Sequence, residues 1–113
     1  MFIAFVATAF AVLGPTQTTR LVSYDEAVRC AGLTQAASEL EGGESRYGRT
    51  LDDAALYWSL AAMQAATAAG RDPTLAENDQ TRARVDSVKR LSAGEAEARA
   101  VLQRCRQKTP RLG

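Results

Sequence analysis

SYDEAVRCAGLTQAASEL, residues 23–40, is the stretch that decides the fold. Its first four residues form a capping box, because Ser23 can accept a hydrogen bond from a first-turn N–H while Glu26 returns one. The apolar residues that follow recur on one helical stripe: Ala27, Cys30, Leu33 or Thr34, Ala37 and Leu40. The pattern predicts an amphipathic helix over about residues 24–40.

Three further helices are predicted, over about residues 51–69, 74–91 and 93–107. Thr50 opens the first of them as a capping residue, and Gly70 ends it. Pro73 starts the next at a first-turn position. Ser92 begins another capping box for the last, which Pro110 stops. No alternating strand pattern is present, so the predicted fold is all-α, a small four-helix bundle-like domain.

The predicted helix over residues 51–69 has two apolar sides. Leu51, Trp58 and Ala62 lie on one stripe, and Leu56, Leu60 and Met63 cover a second. A helix that is apolar on most sides belongs in the middle of a bundle. This helix is therefore predicted to be the central one, with Trp58 in the core.

The domain is preceded by an apolar segment that resembles a secretion signal. Residues 2–13 are apolar apart from Thr8, and Gly14 and Pro15 end the run. At about 12 residues the run is shorter than the roughly 20 that span a bilayer, and its length matches the apolar region of a secretion signal. The positively charged start of such a signal is missing, because no Lys or Arg precedes Arg20. The favoured interpretation is a cleaved signal over residues 1–19, with the helical domain over 20–113. An uncleaved membrane anchor through residues 2–13, or a first helix packed into the domain, are the alternatives.

Cys30 and Cys105 are the only cysteines, and each lies on the apolar stripe of its helix. In an up-down bundle the first and last helices are antiparallel neighbours, so the pair can meet. With a signal-like start and an even count, a disulfide is predicted. It closes a loop of roughly 76 residues and contributes about 4–5 kcal/mol on the chain-entropy model. Two buried free thiols are the alternative.

Composition argues against catalysis. The 113 residues contain no histidine, which removes the Ser-His and Cys-His nucleophiles and imidazole metal ligands. Without a CxxC pair a thioredoxin-type redox site is disfavoured. Two cysteines without histidine also disfavour a zinc site. No catalytic residue, metal ligand or cofactor is predicted, and the protein is expected not to be an enzyme.

Charge is uneven along the chain. Residues 20–79 carry 5 basic and 10 acidic residues, and residues 80–113 carry 9 basic and 3 acidic ones. The favoured interpretation is that acidic early helices pack beside basic late ones. A basic face over residues 82–111 for an anionic membrane surface is the alternative. Nucleic acid is disfavoured, because no aromatic residue is interleaved to stack on bases.

EGGESRYGR, residues 41–49, is predicted to be a loop because it is polar and holds three glycines. Arg46, Tyr47 and Arg49 fall within it. An exposed aromatic residue beside arginines is a composition typical of interface hot spots. These three residues are the candidate contact loop.

The function that follows is non-catalytic. The chain is predicted to be a small exported α-helical protein-interaction module, periplasmic and tied by one disulfide. Its partner would be an envelope or membrane complex or a second copy. The abundance of alanine and arginine, 22 and 12 residues, favours a GC-rich bacterial source. The alternative is an accessory subunit of a membrane complex, anchored by an uncleaved N-terminal helix.

Overall fold

A computed structural model describes residues 22–111, so the predictions for residues 1–19 lie outside the described part of the chain. Four helices make up this part: α1 (Tyr24–Glu41), α2 (Arg46–Ala68), α3 (Pro73–Ser92) and α4 (Ala96–Lys108). Residues 22–111 contain no β-strand. The all-α, four-helix prediction is confirmed for these residues.

Two of the predicted helix starts are confirmed by their caps. The Oγ atom of Ser23 accepts a hydrogen bond from the Glu26 N–H at 3.1 Å. A carboxylate oxygen of Asp72 accepts one from the Thr74 N–H at 2.7 Å, and Pro73 lies in the first turn of α3. Both caps satisfy a backbone donor that has no partner within the helix.

The predicted start of α2 at Thr50 is wrong. Ser45 is the capping residue, and its Oγ atom accepts a hydrogen bond from the Gly48 N–H at 2.9 Å. Thr50 lies inside the helix, where its hydroxyl donates to the Arg46 carbonyl at 3.1 Å. Gly48 lies within α2, so the glycine-rich stretch is a loop only over residues 42–45.

The predicted start of α4 is also wrong. Ser92 is the last residue of α3 and does not cap α4. Gly94 has φ +73°, a left-handed conformation that ends a helix, and its N–H bonds the Leu91 carbonyl at 3.0 Å. α4 therefore begins at Ala96, with Glu95 as its N-cap residue.

The central helix is α1 and not α2, because α1 packs most extensively against the other helices and contacts all three. α1 and α2 are antiparallel, with a hydrogen bond from Ser38 to Asp52 near their junction. α1 and α4 are also antiparallel, since Lys108 pairs with Glu26. A helix in this position needs small residues, and three alanines of α1 are fully buried: Ala27, Ala31 and Ala36.

α1 and α3 approach each other closely at Gly32. A Cβ atom placed on Gly32 would lie 2.6 Å from the Cβ atom of Ala83 and 2.7 Å from its carbonyl carbon. Real Cβ atoms do not approach other atoms this closely, so the crossing requires glycine. The close approach lets α1 and α3 bury each other with small side chains.

Trp58 is the largest fully buried side chain, at 1 % exposure, which confirms its predicted place in the core. Its indole N–H donates to the Thr109 hydroxyl at 2.9 Å, and that hydroxyl donates to the Cys105 carbonyl at 2.8 Å. Tyr57 packs edge-on against it, with ring centroids 5.0 Å apart. Trp58 therefore joins α2 to the end of α4 as well as filling the core.

Candidate functional site

The second apolar side of α2, predicted to be buried, faces solvent. Leu56 and Leu60 are 58 % and 57 % exposed, because α1 and α3 pack against other sides of α2 and no helix within residues 22–111 covers this one. Together with Met63 and Thr67 these residues form the α2 outer face. A shallow depression of about 390 Å³ opens there, lined by Leu60, Met63, Gln64, Thr67 and Ala68.

The orientation of α2 is fixed by polar side chains on its inner side. Gln35 of α1 donates to the Ser59 hydroxyl at 2.6 Å, and Ser59 donates to the Gln80 side-chain carbonyl of α3 at 3.1 Å. The Gln80 amide in turn donates to the sulfur of the half-buried Met63 at 3.2 Å, so Met63 lies at the edge between the inner side and the outer face. Rotating α2 to bury its leucines would break these hydrogen bonds between three helices, which costs free energy when the groups are partly buried.

The spacing of the α2 outer face suits a helical partner. Leu56, Leu60, Met63 and Thr67 recur at i, i+4, i+7 and i+11, so they form one stripe along the helix. Anchors at this spacing are typical of helix-in-groove recognition and of helix pairing. The chemistry that this face offers is apolar burial, with no titratable side chain among the four residues.

The candidate contact residues Arg46, Tyr47 and Arg49 lie in the first turn of α2 and not in a loop, because Ser45 caps the helix ahead of them. The Arg106 guanidinium of α4 stacks over the Tyr47 ring at 4.7 Å from its centroid. Arg49 donates to the Glu44 carbonyl at 2.9 Å. The structure thus engages both Tyr47 and Arg49 in contacts within the chain, and their role as a contact surface stays a prediction.

Cys30 and Cys105 form a disulfide that joins α1 to α4, as predicted. Their Cα atoms are 5.5 Å apart, within the usual range for such a bond, and both residues are buried. The other attachments of α4 include the Lys108–Glu26 ion pair and the Trp58–Thr109 hydrogen bond. The disulfide is the covalent part of a small set of contacts.

A groove of about 530 Å³ lies where α4 crosses α1 and α3. Its lining includes the apolar residues Leu33 and Val101 and a mixed set of charges: the arginines Arg29, Arg90 and Arg104 and the carboxylates Asp86 and Glu97. We call it the arginine groove. Sequence reasoning missed it, because its residues come from three helices and no local motif marks them.

The three arginines of the groove differ in their partners. Arg90 is paired with Asp86 at 3.1 Å and approaches Glu95 at 3.8 Å. Among residues 22–111, no carboxylate lies within 4.0 Å of the guanidinium nitrogens of Arg29 or Arg104. Glu97 and Asp86 line the same groove, so its charge is mixed and not purely basic.

Basic residues of α3 and α4 contact acidic residues of α1. Arg84 donates to Glu39 at 3.1 Å, and Lys108 pairs with Glu26. Such pairs between an acidic early helix and basic late helices help to set which helices pack together, although each exposed pair contributes only about 0–1 kcal/mol. Binding of residues 82–111 to an anionic membrane surface stays a prediction.

Over residues 22–111, no three His, Cys, Asp or Glu side chains are grouped so that they could hold a metal ion. None of the four helices combines the length and the hydropathy that crossing a membrane requires.

Comparison of the chain with protein-family models, with curated proteins and with solved structures found no match.

Proposed function

We propose that the protein is a small exported α-helical interaction module that binds a protein partner through the α2 outer face. The observation that carries this proposal is the exposure of Leu56 and Leu60 on a helix whose inner side is fixed by polar contacts. Leu56 and Leu60 lie one turn apart, and neighbouring exposed apolar side chains mark a candidate interaction site. The role is one of binding, with no reaction assigned.

The disulfide supports export. A buried Cys30–Cys105 bond persists in an oxidising compartment, such as the bacterial periplasm, and is rare in a reducing cytosol. The signal-like residues 1–19 agree with the same route. We place the module in the periplasm of a bacterial envelope on these two observations.

The proposal is tested by site-specific photo-crosslinking in the native cells. A crosslinking amino acid at Leu60 is expected to give one discrete adduct with a partner protein. The same amino acid at Lys89, which is exposed on α3 outside both surfaces, is the matched control and is expected to give none. Equal adducts from both positions, or none from position 60, would contradict binding through the α2 outer face.

A second candidate is an accessory subunit of a membrane complex, held by an uncleaved N-terminal helix. The observation in its favour is the apolar run over residues 2–13, which can associate with a bilayer if it is not cleaved. This candidate predicts membrane association that resists carbonate extraction and is lost on deletion of residues 1–15. Release of the intact chain by carbonate would exclude it.

A further inference from the structure

The chain enters the described part of the structure beside the C-terminal end of α2. The guanidinium of Arg71, which follows that end, stacks over the Tyr24 ring at 4.3 Å from its centroid. Tyr24 is the first residue of α1, and its hydroxyl donates to a carboxylate oxygen of Asp79 of α3 at 2.8 Å. Residues 1–21 are therefore attached at the corner of the bundle where α1 begins and α2 ends.

The α2 outer face reaches the same corner. Its depression of about 390 Å³ is lined by residues in the C-terminal part of α2, from Leu60 to Ala68. The face lies on the side away from the core, because Leu60 follows the buried Trp58 by two residues, which is about 200° around a helix. An open apolar surface therefore lies close to the point where the chain that precedes α1 is attached.

The chain that precedes α1 has the chemistry that this face accepts. Residues 2–13 are apolar apart from Thr8, and residues 1–19 contain no Lys, Arg, Asp or Glu. The α2 outer face likewise carries no titratable side chain, so the two can bury each other without removing a charge from water. We propose that residues 2–13 cover the α2 outer face in the chain that still carries them.

The lengths of the face, the segment and the connection agree. From Leu56 to Thr67 the face is about 16–17 Å long, and residues 2–13 in helical form are about 18 Å long. Residues 14–21 connect the segment to α1 and span at most about 27 Å when extended. A path from α1 past the end of α2 to its far side is about 16–20 Å, because packed helix axes are about 8–10 Å apart. The connection is therefore long enough to place the segment on the face.

The inference deepens the proposed function, because it names what controls the site, and its consequence for a partner rests on that function. A segment joined to the domain by a short connection has an effective concentration on the order of 1 mM. A partner at micromolar concentration therefore competes poorly with the attached segment. Removal of residues 1–19 uncovers Leu56 and Leu60, so processing of the chain and binding of the partner are coupled.

The test is photo-crosslinking within the full chain, made by cell-free synthesis without membranes in an oxidising glutathione buffer. Residues 1–19 are then retained and the disulfide can form. Benzoylphenylalanine at position 60, at a chain concentration of about 1 µM, is expected to give a crosslink to residues 2–13 of the same chain, located by mass spectrometry. The same amino acid at Lys89 is the matched control and is expected to give no crosslink to residues 2–13.

Charge placed in the segment is expected to release it from the face. Val6→Asp with Phe10→Asp should lower the crosslink yield at least about tenfold, because burying a carboxylate against Leu60 costs free energy. Thr16→Asp with Thr18→Asp adds the same charge in the connection and should leave the yield within about twofold. Cysteines that resist alkylation in each variant show that the domain has formed its disulfide.

The inference is overturned if position 60 gives no crosslink to residues 2–13, or if Lys89 gives an equal yield. It is also overturned if the aspartates in the segment leave the yield unchanged, or if both pairs of substitutions lower it equally. A crosslink that joins isotope-labelled to unlabelled chains in a mixture would overturn it as well, because the occupant of the face would then be a second copy.

This inference and the proposed function fail separately. A partner adduct at position 60 in the native cells, without the crosslink to residues 2–13 in the full chain, overturns the inference alone. The crosslink to residues 2–13 without a partner adduct supports the inference and overturns only the binding of a partner through the α2 outer face.

Discussion

α1 and α4 are both amphipathic helices, yet the fold holds them in different ways. α1 packs against three helices through buried alanines and the close approach of Gly32 to Ala83. α4 contacts its neighbours sparsely and is joined to α1 by the Cys30–Cys105 bond. The difference teaches that one helix is held by close packing and the other by a covalent bond with a few polar contacts. Substitutions at the disulfide and at Gly32 remove these two modes of attachment one at a time.

The disulfide is the largest single contribution to the attachment of α4. Replacing both cysteines, Cys30→Ser with Cys105→Ser, is expected to destabilise the protein by about 4 kcal/mol, because the closed loop no longer restricts the unfolded chain. The melting temperature should fall by well over about 10 °C under oxidising conditions. Calorimetry of both proteins, with and without reductant, checks this. An unchanged melting temperature would show that α4 does not need the bond.

Trp58 supplies the next largest effect, because it fills the core and bonds the end of α4. Trp58→Ala is expected to cost about 3 kcal/mol as a core truncation. Trp58→Phe keeps most of the ring but loses the hydrogen bond to Thr109, and its smaller cost isolates that bond. Urea unfolding measures both. A cost below about 1 kcal/mol for the alanine variant would place the indole on the surface.

Gly32 tests the close packing of α1 and α3. Gly32→Ala is expected to destabilise the protein by about 1–3 kcal/mol, since the added methyl group overlaps Ala83 and the helices must separate. Gly43→Ala is the matched control, because the nearest atom to its Cβ is the Asp52 carboxylate at 3.5 Å. Chemical denaturation should distinguish them. A stabilised Gly32→Ala variant would mean that the helix crossing is wider than described.

The smallest effect concerns the hydrogen bond from Tyr24 of α1 to Asp79 of α3, at 2.8 Å. The bond to Tyr24, with help from Arg82, holds the pKa of Asp79 below its ordinary value, and burial together with Asp79 raises the pKa of Tyr24. The Asp79 contribution is therefore present above the ordinary aspartate pKa and is lost as the pH falls through the lowered value. The Tyr24 contribution is present below the ordinary tyrosine pKa and is lost as the pH rises through the raised value.

Tyr24→Phe is expected to flatten the pH dependence of stability at both the acidic and the alkaline end. The measurement is the free energy of unfolding in urea at about pH 3, 7 and 10.5 for both proteins. Tyr47→Phe, at an exposed tyrosine of α2 outside this bond, serves as the control. Identical pH profiles for Tyr24→Phe and the wild type would show that the bond does not join α1 to α3 in solution.

Much of the fold could be predicted because its signals are local. The cap at Ser23, the proline at the start of α3 and the stripes that carry Cys30 and Cys105 are each read from a few adjacent residues. The disulfide needed one further step, that the first and last helices of an up-down bundle are neighbours. Each of these predictions is confirmed by the described residues.

The incorrect predictions arose where two local signals competed. Ser45 and Thr50 are both capping residues, and the glycines between residues 41 and 49 favoured the later one, although Gly48 lies within α2. Ser92 was predicted to cap α4, but it is the last residue of α3, and the left-handed backbone of Gly94 follows the end of that helix. Which apolar side of α2 is buried depends on the hydrogen bonds of Ser59 with Gln35 and Gln80. Both glutamines are distant from α2 in sequence, so no local pattern shows these bonds. The arginine groove likewise depends on three helices and had no local signal.

The measurement that tests the account most directly is the intact mass of the protein from its own cells, isolated without reductant and with free thiols alkylated. An exported module tied by its disulfide predicts a mass that lacks the N-terminal segment, with Cys30 and Cys105 unalkylated. A full-length mass with both thiols alkylated would contradict it, because the chain would then keep its apolar start in a reducing compartment.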